Sequence, residues 1–235
     1  MFADREGRAV GGSAVTLGQV PFMASLRSFV GNFHFCGGSI LSNRWILTSG
    51  GCVRGRAINS INVVVGSVTL NAGGVIHRSA NITIHPGFDP RTLENDIGLV
   101  WTATVIAFTG NIQTVALSPN IIPGQSSGQI SGWGSNLANG GALPNNLQRL
   151  NTITITNSEC VSRHNGENAN RIFDNKLCTF TRPIEGTCYG DEGGALLING
   201  VLAGVLSWQV PCAQGFPDVY ERVAGVRLWI QTVIA

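Results

Sequence analysis

Carboxylates carry the first candidate chemistry in this chain. The stretch GTCYGDEGGALL, Gly186 to Leu197, sets Asp191 and Glu192 side by side in a glycine-rich turn. The stretch ENDIGLV, Glu94 to Val100, sets Asp96 at the head of an apolar run. Two carboxyl groups across a cleft can share nucleophile and acid roles, as in glycoside hydrolysis. Asp96 and Glu192 could form such a pair, but no polar, sugar-lining pattern accompanies them. Histidine occurs four times, at His34, His77, His85 and His164. Only His34, in NFHFCGG, lies within a motif; the other three read as ordinary surface or loop residues. Two carboxylates without a histidine make a poor specific metal site, so neither a metal nor a cofactor is expected. The cysteines are Cys36, Cys52, Cys160, Cys178, Cys188 and Cys212. An even set with no C-x-x-C pair favours three disulfides over a metal centre. Spacing alone leaves their connectivity open.

The elements that must position these groups are mostly strands. INVVVG (61–66), ANITIH (80–85), GQISGWG (128–134) and LNTITIT (150–156) are β-branched and bounded by turn residues. LLINGVLAGVLSW (196–208) holds Asn199-Gly200 between two apolar runs, the signal of a type I′ hairpin. NLANGGALPNN (136–146) reads as a loop, and 115–127 as a softer join between two β-rich halves. Only the C-terminus reads as firmly helical, with Val226, Trp229, Ile230 and Val233 on one apolar face. Short strands throughout and 31 glycines for tight turns indicate an all-β fold. A length of 235 residues fits one large all-β domain or two small ones.

Bulk charge narrows the function classes. Charged residues make up 12% of the chain and the net charge is +2, which excludes a disordered tail and a nucleic-acid footprint. No apolar run is long enough to span a membrane. Disulfides imply an oxidising compartment, hence secretion to the extracellular space. The opening Met1 to Arg8 lacks the apolar run of a signal peptide, so the chain is expected to be a mature or recombinant form from which a signal was removed. Asn81 heads the glycosylation sequon Asn81-Ile82-Thr83. The expectation is a monomer without nucleic-acid or membrane partners.

Several motifs then follow in one order: RAVGGSAV at Arg8, FCGGSIL, RWILTSGGCV, ENDIGLV, SGWG, GTCYGDEGGALL, LSWQVPC and FPDVYERV. Together they resemble the trypsin/chymotrypsin-like serine proteases across nearly the whole chain, most closely the arthropod chymotrypsins and crab-type collagenolytic members. The resemblance implies a trypsin-like double six-stranded β-barrel with a C-terminal helix. It divides the chain into a residual propeptide-like segment 1–8, a first β-barrel 9–115, and a second β-barrel plus helix 116–235. It also implies the disulfides Cys36–Cys52, Cys160–Cys178 and Cys188–Cys212.

Family catalysis uses a hydroxyl nucleophile, an imidazole base, a carboxylate that orients the imidazole, and backbone N–H groups that hold the oxyanion. The resemblance places Asp96 at the carboxylate position, Gly51 at the imidazole position and Glu192 at the hydroxyl position. The oxyanion hole falls on Gly190 and Glu192. These vestigial triad positions lead to the expectation of a pseudoenzyme, not an enzyme, with no catalytic residue. Without an imidazole beside it, Asp96 is expected to bind water or a cationic side chain, or to protonate. Glu192 is expected either to fold back on the old oxyanion donors, to lean into the gap at Gly51, or to point to solvent. The specificity pocket falls on Gly186, Ser207, Trp208, Gln209 and Asp218, with Gln209 either crowding its entrance or turned aside. Activation residues are Arg8, Ala9, His34 and Asp191; an uncleaved form would pair His34 with Asp191. The function expected from this pattern is a secreted, proteolytically inactive serine protease homologue. It would act by binding an unidentified protein of a host or self immune, complement or clotting cascade. The alternatives are a hydrolase acting through Asp96 and Glu192, and a degenerate digestive protease with no current activity.

Overall fold

Period-two burial closes the chain into two rings of strands. The computed structural model describes residues 12–135 and 141–235; the expected propeptide-like segment, with Arg8 and Ala9, lies outside them. The first ring uses β2 (Met23–Ser28), β3 (His34–Ile40), β4 (Trp45–Thr48), β5 (Ile61–Val65), β6 (Val75–Ile84) and β7 (Gly98–Thr102). They close antiparallel in the order β2-β3-β4-β7-β6-β5. Inside lie Leu26, Ile40, Ile46, Ile61, Val63, Val65 and Val100, all buried. The second ring uses β8 (Ser127–Gly132), β9 (Gln148–Ile155), β10 (Lys176–Thr179), β11 (Ala195–Ile198), β12 (Val201–Trp208) and β13 (Asp218–Arg222). It runs β8-β9-β10-β13-β12-β11 and back to β8, with β1 (Ser13–Ala14) added alongside β9. Closure leaves neither ring with a free sheet edge. This is the trypsin-like double barrel that the resemblance implies.

A third apolar cluster joins the rings. Trp45, Leu47 and Leu99 of the first pack with Trp133, Leu147 and Val205 of the second. Helix α4 (Val223–Ile234) seals it with Val226 and Ile230, the buried half of the expected apolar stripe. Burying each such aliphatic side chain stabilises the fold by roughly 1.5–3 kcal/mol. Between β11 and β12, Asn199 and Gly200 both have positive φ, at 50° and 77°, as a type I′ turn requires. Disulfides join Cys36 to Cys52, Cys160 to Cys178 and Cys188 to Cys212. Asn81 is exposed on β6. No helix among the described residues is long and apolar enough to cross a membrane.

The helical content corrects the expectation of a single terminal helix. Three short helices also form: α1 (Gly50–Val53), α2 (Asn157–Arg163) and α3 (Gly166–Ala169). Their apolar stripes are too short to register as a period. Local capping makes two of them: Ser49 Oγ accepts from the Cys52 N–H, and Thr156 Oγ1 from the Glu159 N–H.

Candidate active-site cleft

Asp96 enters the site from the turn ahead of β7 and is 1% exposed. Its Oδ1 accepts from the Gly51 N–H at 2.7 Å, and its Oδ2 accepts from the Ser207 hydroxyl at 2.7 Å. Gly51 sits in α1, which the Ser49 cap and the Cys36–Cys52 disulfide hold in place. Ser207 is the penultimate residue of β12, so its hydrogen bond ties the second barrel to the first. Burial raises the Asp96 carboxyl above the usual carboxylate range, opposed by the Ser207 and Gly51 bonds and by the Lys176 charge. The expected cationic contact does not form among the described residues: a hydroxyl and a backbone N–H satisfy the carboxyl directly. Barrel closure puts Ser207 within reach, which linear sequence does not display.

A buried ion pair stands behind this carboxyl. The Asp96 backbone N–H donates to Glu221 Oε2 at 3.0 Å, and Lys176 Nζ reaches the same oxygen at 2.7 Å. Both partner side chains are fully buried. Lys176 and Glu221 face one another across β10 and β13, and Lys176 also donates to the Leu93 carbonyl. Sequence reasoning missed this pair. The available signal was the chain's single lysine, set between Asn175 and the apolar Leu177-Cys178, with Glu221 inside DVYERV.

Glu192 lies in the turn between Gly190 and Gly193. Its Oε2 accepts from the Gly190 N–H at 2.8 Å, and its Oε1 accepts from Gln209 Nε2 at 2.8 Å. The carboxylate therefore turns back on the Gly190 N–H, one of the two expected oxyanion donors, and Gln209 bridges to it from just beyond β12. Gly190 has φ +98°, a left-handed conformation that favours glycine. Its carbonyl accepts from His34 Nε2 at 2.8 Å. A carbonyl only accepts, so Nε2 carries the proton and Nδ1 accepts from Ser25 Oγ at 2.7 Å. Burial lowers the His34 pKa to about 4, keeping the ring neutral.

The expected His34–Asp191 pair does not form. Asp191 instead accepts from the Gly134 N–H at 2.6 Å and the Cys188 N–H at 3.0 Å. His34 is held off by its own bonds to Gly190 and Ser25. Burial raises Asp191 to about 7. His77 and His164, read as surface or loop residues, are instead 5% and 4% exposed. His77 bonds Thr104 Oγ1, and His164 stacks on Phe216 at 5.6 Å. Their positions in strand and cap bury rings that no sequence motif marks.

The pocket residues gather beside this turn. Asp218 opens β13, 6% exposed, and accepts from the Thr187 N–H at 3.0 Å. A methyl group at Gly186 would lie 3.2 Å from Asp218 Oδ2, so the two positions face each other. Burial raises Asp218 to about 7. Trp208 is buried, with the Arg171 guanidinium 4.8 Å over its ring.

Between the barrels these groups line a cavity of about 320 Å³. Gly51, Asp96, Glu192 and Ser207 meet there with Phe35 and Arg56. The set offers two carboxyls, one hydroxyl and one guanidinium, chemistry suited to holding polar groups of a bound segment. Among the described residues, no three histidine, cysteine or acidic side chains converge as metal ligands do.

The family model described as Trypsin matches residues 9–230. Chymotrypsin-2 of Vespa crabro is 37% identical over 223 residues, covering 94% of this chain and 98% of its own length. Trypsin delta of Drosophila erecta is 33% identical over 226 residues, covering 96% of this chain and 88% of its own. Trypsin II-P29 of Gallus gallus is 34% identical over 233 residues, covering 97% and 90%. These names correct the expectation that the chain is a pseudoenzyme and not an enzyme. The relatives are named as trypsins and a chymotrypsin, so the comparisons point to a family of proteases, and the non-enzyme reading is withdrawn.

Proposed function

Since the chain belongs to the trypsin-like serine protease family, we propose that it is a secreted protein that works by recognising polypeptide segments of protein partners. The setting proposed is an extracellular immune, complement or clotting cascade of self or host. One observation carries the reading: the recognition parts of the cleft stand ordered side by side. Ser207 and Trp208 end β12, where an extended segment can pair with the backbone. Asp218 stands opposite Gly186 as a buried carboxyl, and we assign it the cationic side chain of a bound segment. Three disulfides suit the oxidising extracellular space.

The test is fluorescence anisotropy with short labelled peptides that differ at one residue, basic, aromatic or acidic. The expected result is saturable binding with a preference for the basic peptide. That preference strengthens as pH rises from 6 to 8, because Asp218 with a pKa of about 7 ionises over that interval. Asp218→Asn should remove the preference. Absence of saturable binding by every peptide would overturn the reading. A mass spectrum of the recovered peptide reports separately whether the bound segment is cut.

A further inference from the structure

We infer that the rim of the first barrel beside the cleft is a docking surface for an acidic, aromatic-containing polypeptide segment. The inference extends the reading of the protein as a polypeptide binder to an adjoining surface that shares only Phe35 and Arg56 with the cleft.

Charge distribution is the first observation. Residues 7 to 88 contain no Asp and no Glu, while arginine stands at positions 8, 27, 44, 54, 56 and 78. Two of these are committed to the fold. Arg27 is buried, and Arg44 donates to the Thr102 and Ala103 carbonyls. Arg54, Arg56 and Arg78 form no ion pair among the described residues. The carboxyls that share the cleft with Arg56, Asp96 and Glu192, already have partners.

The second observation is how the arginines are presented. The Arg56 guanidinium lies 3.5 Å over the Phe35 ring, and its Nε donates to the Cys52 carbonyl. Arg78 lies 3.6 Å over Phe29, and its Nε donates to the Asn59 carbonyl. Each guanidinium is thus held flat on an aromatic face with its remaining N–H groups free to fork onto a carboxylate.

Apolar exposure is the third. The turn 29–33 projects Val30, 81% exposed, and Phe33, 73% exposed. Hydrogen bonds from Phe29 N–H to the Ser60 carbonyl and from Asn62 to Asn32 pin this turn against 58–62, where Ile58 is also exposed. Phe33 directly precedes β3, and Phe35, beneath the Arg56 guanidinium, is the second residue of that strand. Unpaired cations with interleaved large apolar side chains fit a partner carrying both carboxylates and aromatic rings. A sulfated polysaccharide would satisfy the arginines but leave Val30, Phe33 and Ile58 uncovered, so the polypeptide is favoured.

A labelled twelve-residue peptide of alternating Glu and Phe serves as probe, compared with a Lys/Phe peptide, a Glu/Ser peptide and heparin. Saturable binding of the Glu/Phe peptide is expected, at least tenfold tighter than either other peptide, and weakening as NaCl rises from 50 to 300 mM. Arg56→Ala could disturb α1 through the Cys52 bond, so Arg54→Glu is the deciding variant. Its side chain is exposed and makes no hydrogen bond or ion pair among the described residues. Arg54→Glu should weaken the Glu/Phe peptide roughly fivefold or more, and Phe33→Ser should do so severalfold. Peptide binding at the cleft, read through the Asp218-dependent basic preference, should survive both changes. Unchanged Glu/Phe binding in Arg54→Glu would overturn the inference. So would heparin binding that exceeds the Glu/Phe peptide and is insensitive to Phe33→Ser.

Discussion

Asp96 and Glu192 line one cavity, yet the protein holds them in opposite ways. Asp96 is buried, bonded to Ser207 and Gly51, and backed by the fully buried Lys176–Glu221 pair. Glu192 is half-buried on a glycine turn, and its partners are one backbone N–H and one side-chain amide. The first wall is part of the fold's interior, where a lost partner leaves a desolvated charge uncompensated. The second is a surface clasp, where water replaces what is lost. Substitution should therefore act mainly on stability at the Asp96 wall and mainly on chemistry at the Glu192 turn.

The largest effect should come from changing both sides at once. A Cβ at Gly51 would sit 3.6 and 3.9 Å from the Asp96 oxygens, ordinary contact distances, so a side chain fits there. Gly51→His places an imidazole beside Asp96, and Glu192→Ser places a hydroxyl on the turn. Nucleophile and base act as a unit, so their effects are far from additive. After cleavage at Arg8, the double variant should hydrolyse peptide esters about 10³-fold faster than either single variant. Single variants that match the double would show that the two walls are not coupled as described.

Behind Asp96 the prediction concerns stability. Lys176→Met leaves Glu221 buried without its cation and should cost about 3–5 kcal/mol, read as a lower urea midpoint. Lys176→Met with Glu221→Leu, which removes both charges, should recover much of that loss. A small loss in Lys176→Met would break the contrast between an interior wall and a surface clasp.

This contrast also marks what the sequence could display. Strands β5, β6, β8 and β9 were legible because β-branched runs end at turn residues, and β11 and β12 because two apolar runs flank Asn199-Gly200, whose residues tolerate positive φ. Asp96, Glu192 and Asp218 were legible as positions through the motif order. Their partners were not. Ser207 meets Asp96 only because β12 ends where β7 begins to form its barrel, and Lys176 meets Glu221 only through the β10–β13 register. Helices α1 and α2 escaped detection because a cap rather than an apolar period specifies them. The burial of His77 and His164 has the same origin: a single polar ring in a strand or at a helix end carries no periodic signal.

A moderate effect should appear with pH. Asp218 is raised to about 7 by burial, so the folded protein binds its proton more tightly than the unfolded chain. Stability from this group is greatest below the unfolded carboxyl pKa and is lost as pH rises through 7. His34 acts in the other direction. Its folded pKa of about 4 lies below the unfolded value, so its contribution is full above 6.5 and is lost as pH falls toward 4. The urea midpoint should therefore rise as pH drops from 8 to 6 and then rise less steeply, because His34 loses its contribution and offsets part of what the buried carboxyls still gain. Asp218→Asn should make the alkaline limb shallower and leave the share that Asp191 carries. An alkaline limb of unchanged slope in Asp218→Asn would assign it to Asp191, which burial also raises to about 7.

The smallest effect should be at Glu192 alone. Glu192→Gln keeps an acceptor for the Gly190 N–H and an oxygen for Gln209, while removing the charge. Hydrogen bonds to charged groups contribute about 1.5–3 kcal/mol when buried. Here the carboxylate is half-buried, and solvent screens the difference. The urea midpoint should therefore move by less than about 1 kcal/mol equivalent. Glu192→Ala should cost little more, since Gly190 N–H and the Gln209 amide then meet water. If either change costs as much as Lys176→Met, the Glu192–Gln209 bridge belongs to the folding core. The two walls of the cavity would then be alike.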